Sequence, residues 1–465
     1  MAKRFNFNLK GEKSMNKLKT WSLCLAFCLL TSLTLTPMVS AAQPTHNKAK
    51  FHNELKAVAK KTYAYFKDYT DPTTGLTYDE VRTTDKGTEE AKRTSPTNIS
   101  MYMMSTVSAQ RLGLISKKEA VARLQTTLDS LEKMDKWNGL FYNWYNTDDG
   151  SLKKDWGQFI SQVDNGWMSA GLMVVGQAYQ ELHDQTSQLV NAMNYTTLYD
   201  PEVGQFRGGY DVVKGELTEH HYGSFYTEPR VGSYIAIGKG DVPKEHWWKM
   251  YRTMPAEFDW QSQVPQGKTV TYDGVKVFEG SYVYQKQKFV PSWGGSMFEA
   301  LMPGMVIKEK ELGTRALGLN NKRYVQLQIQ YAKDKGYAAW GFSPAATPTG
   351  YSEFAATPLG ISGYKDGSTV TAHATFLALE YAPEAAQQNI KALQKLKMAG
   401  KYGFYDSVNV KTGELAKAYL ALDQGMIIIS IANYLQDGVI RDYFHSDPIG
   451  KKPESLLKKE VFSIQ

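Results

Sequence analysis

Cysteine is nearly absent from this chain of 465 residues, and histidine is scarce. The two cysteines are Cys24 and Cys28, and there are eight histidines in all. Beyond Cys28 the chain therefore has no thiol for a disulfide, a thiolate metal site or a nucleophilic cysteine. The adjacent residues His220 and His221 would point apart on a helix or strand and so make a poor pair of metal ligands. We expect no metal and no cofactor.

Several sequence signatures of catalysis are missing as well. We find no Gly-x-Ser-x-Gly nucleophile elbow, no phosphate-binding loop and no dinucleotide fingerprint. A serine hydrolase, a P-loop enzyme and a nicotinamide-dependent enzyme are therefore disfavoured. Carboxylates set among aromatic residues are left as the candidate chemical groups.

An excess of charge of one sign is also absent after the first 41 residues. The formal net charge is +7, from 54 basic and 47 acidic residues, but residues 1–41 hold six of the bases and one of the acids. The rest has 48 basic and 46 acidic residues. This balance gives no electrostatic reason to expect a nucleic acid or an anionic membrane surface as a partner.

The N-terminal segment has the three parts of a secretory signal in order. Lys17 and Lys19 precede an apolar run at residues 21–35, and small residues follow at Val39-Ser40-Ala41. We predict a signal peptide at residues 1–41, cleavage, and export to the extracellular space or the cell envelope without stable membrane insertion. An uncleaved anchor is the alternative. Residues 42–465 contain no linker-like stretch and are predicted to form a single domain.

Aromatic residues are abundant, with 29 tyrosines and 10 tryptophans. Flat rings with an apolar face and a polar edge suit the CH faces of sugars, although large cores also use many aromatics. We therefore expect an oligosaccharide or polysaccharide as the substrate or ligand.

Helical periodicity dominates the chain. Apolar residues recur at spacings of three and four in eight segments, and a shorter apolar helix is predicted at residues 231–237. A hairpin is predicted near residues 268–284, with Asp273-Gly274 at its turn. This pattern favours an all-α toroid, in which helix pairs surround a cleft, with small β-hairpin decorations; a helical solenoid is the alternative, but no fixed-period repeat supports it. The eight segments are residues 54–69, 97–112, 117–134, 165–182, 321–333, 371–379, 385–395 and 424–435.

Five carboxylates lie in apolar, aromatic or glycine-rich surroundings: Asp164, Glu228, Glu299, Glu353 and Asp423. Hydrolysis of a glycosidic bond needs two such groups, one acid and one base or nucleophile. Asp164 and Asp423 have helix capping as an alternative role. Glu299 has a structural ion pair as its alternative, and Glu353 has the role of a solvated loop acid. Glu228 is either held by helix-end amides and Arg230 or poised as an acid in a cleft.

Eight sequence blocks, in the same order, resemble the glucoamylase-like domain of cyclic β-1,2-glucan synthases, a domain related to the bacterial endo-β-1,2-glucanases. The resemblance implies an (α/α)6 barrel acting on β-1,2-glucan, and it aligns Glu228 with the acid/base carboxylate. The blocks are residues 93–99, 141–145, 161–164, 228–241, 293–303, 402–405, 423–426 and 443–448.

One position departs from that family. The segment that carries the nucleophile in the synthases, Trp-Gly-x-Ser-Glu-Ser, reads Trp-Gly-Phe-Ser-Pro-Ala at residues 340–345, so Pro344 occupies the nucleophile position. Proline cannot attack an anomeric carbon, which argues against a retaining route through this position. The loop at residues 349–353 is closer to the endo-glucanases, several of which invert.

Three functional hypotheses follow. The first is a secreted glycoside hydrolase acting on β-1,2-glucan or a related bacterial β-glucan, with Glu228 as the acid and Asp164, Glu299 or Glu353 as the base. The second is a retaining transglycosylase that forms cyclic β-1,2-glucans, and the third is an inactive glycan-binding protein. The residues expected to contact sugar are Tyr142, Trp144, Arg230, Trp293, Trp340 and Gln424.

Overall fold

The structure is a computed structural model, and it describes residues 43–465. The predicted signal peptide, residues 1–41, lies outside the described residues. Contacts divide the chain into residues 1–47 and residues 48–465. None of the described helices combines the length and the apolar character that crossing a bilayer requires.

Helices make up the main framework of residues 48–465. Their bounds, in chain order, are α1 (Gln43–Asp68), α2 (Pro96–Arg111), α3 (Lys117–Lys133), α4 (Gln162–Ala178), α5 (His183–Ala192), α6 (Arg230–Lys239), α7 (Glu245–Lys249), α8 (Met297–Leu301), α9 (Glu309–Leu312), α10 (Leu317–Asp334), α11 (Ala372–Leu377), α12 (Pro383–Lys395), α13 (Ala421–Leu435), α14 (Val439–Ser446), α15 (Pro448–Lys451) and α16 (Glu454–Lys459).

The strands are short and form separate sheets of two or three strands. They are β1 (Glu80–Thr84), β2 (Gly87–Ala91), β3 (Arg93–Thr94), β4 (Lys136–Trp137), β5 (Leu140–Phe141), β6 (Tyr145–Asn146), β7 (Phe159–Ser161), β8 (Tyr199–Asp200), β9 (Gln205–Phe206), β10 (Gly209–Asp211), β11 (Glu216–Leu217), β12 (Gln266–Tyr272), β13 (Val275–Tyr284), β14 (Gln287–Phe289), β15 (Ala345–Thr347), β16 (Gly350–Ser352), β17 (Phe354–Ala355), β18 (Lys365–Asp366), β19 (Thr369–Thr371), β20 (Ala399–Gly400), β21 (Gly403–Phe404), β22 (Ser407–Asn409), β23 (Leu415–Ala416) and β24 (Ala418–Leu420).

The predicted hairpin is confirmed. Strands β12 and β13 pair antiparallel from Gln266 with Ser281 to Tyr272 with Val275. Asp273 and Gly274 connect them with φ angles of 48° and 82°. Positive φ at both central residues is the requirement of the two-residue turn that matches strand twist, which explains the Asp-Gly pair.

Each predicted helical segment coincides with a helix, but several of the helices start earlier than the apolar periodicity suggests, whereas α3 starts at the predicted residue and α11 one residue later. Helix α4 begins at Gln162 instead of residue 165, and α13 begins at Ala421 instead of residue 424. First turns carry polar residues, so the apolar pattern starts only in the second turn. This shift places Asp164 and Asp423 inside their helices.

Six helices form a continuous series of packed neighbours. Helix α4 packs against α2 and α6, α2 packs against α13, α13 against α11, and α11 against α8. Hydrogen bonds from Arg230, the first residue of α6, to backbone oxygens of α8 link the two ends of the series.

Glycine permits the close packing of α4 on α6. A Cβ atom on Gly166 would lie 2.7 Å from Gly232 Cα, a distance that real Cβ contacts do not reach. The backbones can therefore approach only because neither position has a side chain. This contact fixes Asp164, two residues before Gly166, relative to Glu228, four residues before Gly232.

Arg230 joins α6 to the following helices from a position with no solvent exposure. Its Nε donates to Glu309 Oε1 at 2.7 Å and its Nη2 to Glu309 Oε2 at 3.1 Å. Its remaining donors reach the carbonyl oxygens of Thr227, Glu299 and Ala300. Burial of an ion pair is costly unless its hydrogen bonds are satisfied, and here the guanidinium is fully engaged.

Replacing Arg230 with methionine is expected to lower the free energy of unfolding by about 3–5 kcal/mol, because Glu309 would be left as a buried charge without its cation. Urea unfolding followed by circular dichroism measures the change. The double variant Arg230→Met/Glu309→Leu should recover much of the loss. A loss below about 1 kcal/mol in the single variant would show that the pair does not hold α6.

Gly166→Ala is expected to destabilise the fold by about 1–3 kcal/mol, because the new methyl group would meet backbone atoms of α6. Gly232→Ala is the matched comparison, since its Cβ would lie 2.6 Å from the movable side-chain nitrogen of Gln162. Thermal unfolding should rank Gly166→Ala well below Gly232→Ala. Equal stability of the two variants would contradict a backbone-limited contact.

Candidate active site

A cavity of about 620 Å³ opens at the start of α6. Its wall carries five tyrosine and tryptophan rings and two carboxylates, Glu228 and Glu299. Lining residues include Tyr222, Tyr251, Trp260, Trp293 and Tyr364. This is the combination of flat rings and acids that the sequence suggested for sugar chemistry.

Glu228 lines this cavity, half-buried, two residues before α6. Among the described residues no hydrogen bond between its carboxylate and another side chain is observed. Burial and the negative charges of Glu299 and Asp164 raise the pKa of Glu228 to about 8, and the charge of Arg230 opposes the rise. Glu228 is therefore protonated at neutral pH, as a proton donor needs to be.

Glu299 is almost fully buried in the first turn of α8, where it forms a capping box with Ser296. Its carboxylate accepts hydrogen bonds from the Ser292 hydroxyl at 2.7 Å, the Gly294 N–H at 3.0 Å and the Tyr364 hydroxyl at 3.0 Å. Burial raises the pKa of Glu299, and these bonds oppose that rise. No ion pair to Glu299 is found among the described residues, so the structural ion pair is replaced by a hydrogen-bonded cage.

Asp164 is half-buried as the third residue of α4. Ser161, and not Asp164, caps this helix, since the Ser161 hydroxyl accepts from the Asp164 N–H at 3.2 Å. The Asp164 carboxylate accepts from the Thr97 hydroxyl at 2.5 Å. Burial raises the pKa of Asp164, and Thr97 opposes the rise. Asp164 and Glu228 both act on the hydroxyl of Tyr222, whose pKa is raised mainly by burial.

Glu353 is exposed and follows β16. Its charge acts, with those of Glu299 and Glu228, on the hydroxyl of Tyr364, whose pKa is raised far above its usual value, mainly by burial. The structure therefore brings the other three predicted catalytic carboxylates, Asp164, Glu299 and Glu353, into the neighbourhood of Glu228. The charges of Glu228, Glu299 and Glu353 act on Tyr364, and those of Glu228 and Asp164 act on Tyr222.

A second acidic group lies beside this site. Asp406 and Asp423 are buried and share a hydrogen bond, and His373 Nδ1 lies 3.1 Å from Asp423 Oδ1. Burial raises the pKa of Asp423 well above its usual value, and the charge of Asp406 adds to the rise. Leu420 occupies the N-cap position of α13, so Asp423 is not the cap of this helix. The charges of this pair and of Glu228 add to the rise in the pKa of Tyr351, which is caused mainly by burial.

These three residues also form the one group, among the described residues, with metal-ligand geometry. One ligand atom from each of His373, Asp406 and Asp423 lies within 4.8 Å of the others. The expectation that the protein binds no metal therefore stays a prediction.

The predicted aromatic contacts divide into two sets. Trp293 is 37% exposed and lines the cavity. Trp144 is half-buried in a second aromatic group, where its ring meets Trp156 at 5.2 Å and the Arg93 guanidinium at 5.5 Å. Tyr142 is 9% exposed and presents only an edge to solvent.

Arg230, Trp340 and Gln424 lie in the interior instead. The guanidinium of Arg230 donates its hydrogen bonds to protein acceptors. Trp340 is 7% exposed and belongs to the core, and the Gln424 side chain donates to the Phe404 carbonyl at 3.2 Å. Burial leaves them no surface for sugar hydroxyls or rings, and we leave them out of the proposed site. Pro344 is likewise buried, behind the cavity wall.

Several residues of the site escaped sequence reasoning. Tyr222 follows the His220-His221 pair that we judged a poor metal site, and Asp406 directly follows one of the matched blocks, residues 402–405. Adjacency to these signals could have raised them as candidates. Tyr351, Tyr364 and Trp260 carry no local signal, because only the tertiary fold brings their loops to Glu228.

Two family models match the chain. Residues 267–448 match the Glycoamylase family, described as "Putative glucoamylase", and residues 57–239 match a family of proteins of unknown function, DUF3131. The first match covers Trp293, Glu299, Asp406 and Asp423. The second covers Asp164 and Glu228.

Two curated relatives align with most of this chain. The cyclic β-(1,2)-glucan synthase NdvB of Rhizobium meliloti is 24% identical over 88% of this chain, which spans 18% of that protein. An exo β-1,2-glucooligosaccharide sophorohydrolase of Parabacteroides distasonis is 20% identical over 85% of this chain and 56% of its own length. The chain thus spans less than two thirds of either relative.

A solved structure shows the same fold. The endo-β-1,2-glucanase from Chitinophaga pinensis, in complex with sophorotriose and glucose, superimposes with a TM-score of 0.68 at 18% identity, covering 87% of this chain and 98% of that protein. The resemblance predicted from the eight sequence blocks is therefore confirmed: residues 267–448 match a glucoamylase family model, and the chain is similar to a cyclic β-1,2-glucan synthase in sequence and to an endo-β-1,2-glucanase in fold.

Proposed function

We propose that this protein is an exported hydrolase of β-1,2-glucan or a related bacterial β-glucan, with Glu228 as its general acid. The observation that carries the proposal is a half-buried glutamic acid with a raised pKa in an aromatic cavity, surrounded by further carboxylates. The signal-like residues 1–41 support export. The names of the related proteins support β-1,2-glucan as the substrate.

We propose further that the six helices of the packed series form the inner ring of an (α/α)6 barrel. Each has a polar residue in its first turn or directly before it, and these residues would face one cleft. Such an arrangement collects side chains from distant parts of the sequence at one end of a barrel. The residues are Thr97 (α2), Asp164 (α4), Glu228 (α6), Glu299 (α8), His373 (α11) and Asp423 (α13).

In this proposal Glu228 donates its proton to the glycosidic oxygen as the bond to the anomeric carbon breaks. Its raised pKa keeps the proton available at neutral pH, and the caged charge of Glu299 maintains that pKa. Tyr222 and Tyr364 line the cavity beside Glu228 and can orient sugar hydroxyls. Trp293 provides an exposed ring for stacking.

A second carboxylate then activates water. Glu299 is poorly suited, because donors from Ser292, Gly294, Ser296 and Tyr364 already occupy its oxygens. The better candidates are Asp164, whose charge raises the pKa of Glu228, and Glu353, whose charge acts with that of Glu228 on Tyr364; Asp423 of the Asp406–Asp423 pair is a further one. Pro344 at the family's nucleophile position favours inversion, which requires a base and no covalent intermediate.

Glu228→Gln is expected to lower kcat for β-1,2-glucan by about 10²–10⁴-fold, because the amide cannot supply a proton to the leaving oxygen. Release of reducing ends measures the rate. Glu216→Gln, an exposed residue of β11, is the control and should retain full activity. Full activity of Glu228→Gln would remove Glu228 from the role of acid.

The pH profile tests the same assignment. The proton on Glu228 is present below its pKa of about 8 and lost above it. Activity should therefore be retained at neutral pH and fall about tenfold per pH unit above that pKa. The residual activity of Glu228→Gln should lack this alkaline decline.

Three variants distinguish the candidate bases: Asp164→Asn, Glu353→Gln and Asp423→Asn. The variant that lacks the base should show a kcat about 10²-fold lower or more. Its affinity for the glucan should change less than its kcat. The anomeric configuration of the first product, read by NMR, completes the test. An α product from a β linkage supports inversion.

Other products would point to the other hypotheses. A β product, or rings formed without new reducing ends, would support a retaining transglycosylase and contradict direct hydrolysis. Binding of glucan without any turnover would support a glycan-binding protein.

A further inference from the structure

Three large aromatic side chains beside the cavity are unusually exposed. Phe258 is 41% exposed, Trp260 is 50% exposed and Trp293 is 37% exposed. Leaving such rings in water forgoes the stabilisation that burial gives, so a contiguous exposed apolar patch indicates a binding surface.

The three rings form a continuous strip. The ring centroids of Phe258 and Trp260 lie 5.9 Å apart, and those of Trp260 and Trp293 are also 5.9 Å apart. Trp260 and Trp293 line the same cavity as Glu228, whereas Phe258 is absent from that lining. The strip therefore leads from the cavity wall outward along the surface.

The segment of residues 255–264 carries Phe258 and Trp260. It contains no helix or strand, but hydrogen bonds hold it in place. The Gln261 side chain donates to the carbonyl oxygens of Pro255 and Phe258 at 2.8 and 3.0 Å. Tyr282 donates to Gln261 Oε1 at 2.8 Å, and the Ser262 N–H donates to the Ile361 carbonyl at 2.7 Å. The side chain between these anchors, Trp260, points outward from a fixed backbone, which is the preorganisation that a binding site needs.

We propose that Phe258, Trp260 and Trp293, the aromatic strip, bind sugar units of the glucan beyond those next to the cleaved bond and so select long chains over short ones. The inference rests on the proposed function, because it takes the occupant to be the same glucan that Glu228 acts on. Continuity of the strip with the cavity supports this occupant. Rings spaced along a surface match sugar units that repeat along a chain.

The length dependence follows from the geometry. A short oligosaccharide that fills the cavity does not reach Phe258, so removing that ring should not affect its turnover. A long chain gains stacking contacts on the strip, and an aromatic contact of this kind changes affinity by about two- to tenfold. Phe258 is thus assigned as a determinant of chain-length specificity, separate from the chemical step.

The test compares Phe258→Ala with the unaltered protein on linear β-1,2-glucan of high chain length and on the shortest oligosaccharide that is cleaved. We expect KM for the long chain to rise about three- to tenfold, with kcat unchanged and the short substrate unaffected. Phe258→Tyr should keep most of the affinity. Val264→Ala, an exposed apolar residue in the same segment that is 82% exposed, is the matched control and should change neither value.

A binding measurement separates the strip from catalysis. Glu228→Gln with and without Trp260→Ala is run in native gels that contain linear β-1,2-glucan, and loss of retardation on removal of Trp260 supports the strip even if no turnover occurs. Equal effects on short and long substrates, or no effect in either assay, would overturn the strip and leave the hydrolase proposal intact. Absence of both binding and cleavage of the glucan would overturn both.

Discussion

The fully buried guanidinium of Arg230 is the interaction on which the site depends most. It ties the first turn of α6 to Glu309 and to the backbone of α8, and so fixes Glu228 on one side and Glu299 on the other. Its charge is paired with Glu309, and its influence on Glu228 is outweighed by burial and by the charge of Glu299, so the pKa of Glu228 stays raised. The result is a carboxylate held in place yet not stabilised as an anion, which is the state that favours a proton donor.

The carboxyl groups of the site differ in their surroundings, and these differences give them different pKa shifts. Glu228 and Glu299 line the same cavity, but several donors surround Glu299 whereas no side-chain hydrogen bond to the Glu228 carboxylate is observed among the described residues. The caged charge of Glu299 therefore raises the pKa of its neighbour. Asp406 and Asp423 show a third arrangement, in which two buried acids lie together and burial raises the pKa of both. Spacing along the sequence contains none of these distinctions.

The fold was predictable to the extent that it rests on local rules. Apolar periodicity located the long helices, and Asp273-Gly274 located the hairpin, because both signals act within a few residues. The predicted first residues of the helices were less accurate, because a pattern of apolar residues does not detect a first turn that consists of polar residues. That error made Asp164 and Asp423 look like caps, whereas Ser161 and Leu420 occupy those positions.

The sequence by itself determined the candidate acids, the richness in aromatic residues, the lack of thiols after Cys28 and the resemblance to glucoamylase-like domains, because these depend only on which residues are present and in what order. Only the tertiary structure decided which of them meet. It gathered Glu228, Glu299, Glu353 and Asp164, withdrew Arg230, Trp340 and Gln424 into the interior, and exposed Trp260. Burial and proximity set a pKa and open a surface, and both arise from contacts between segments far apart in the chain.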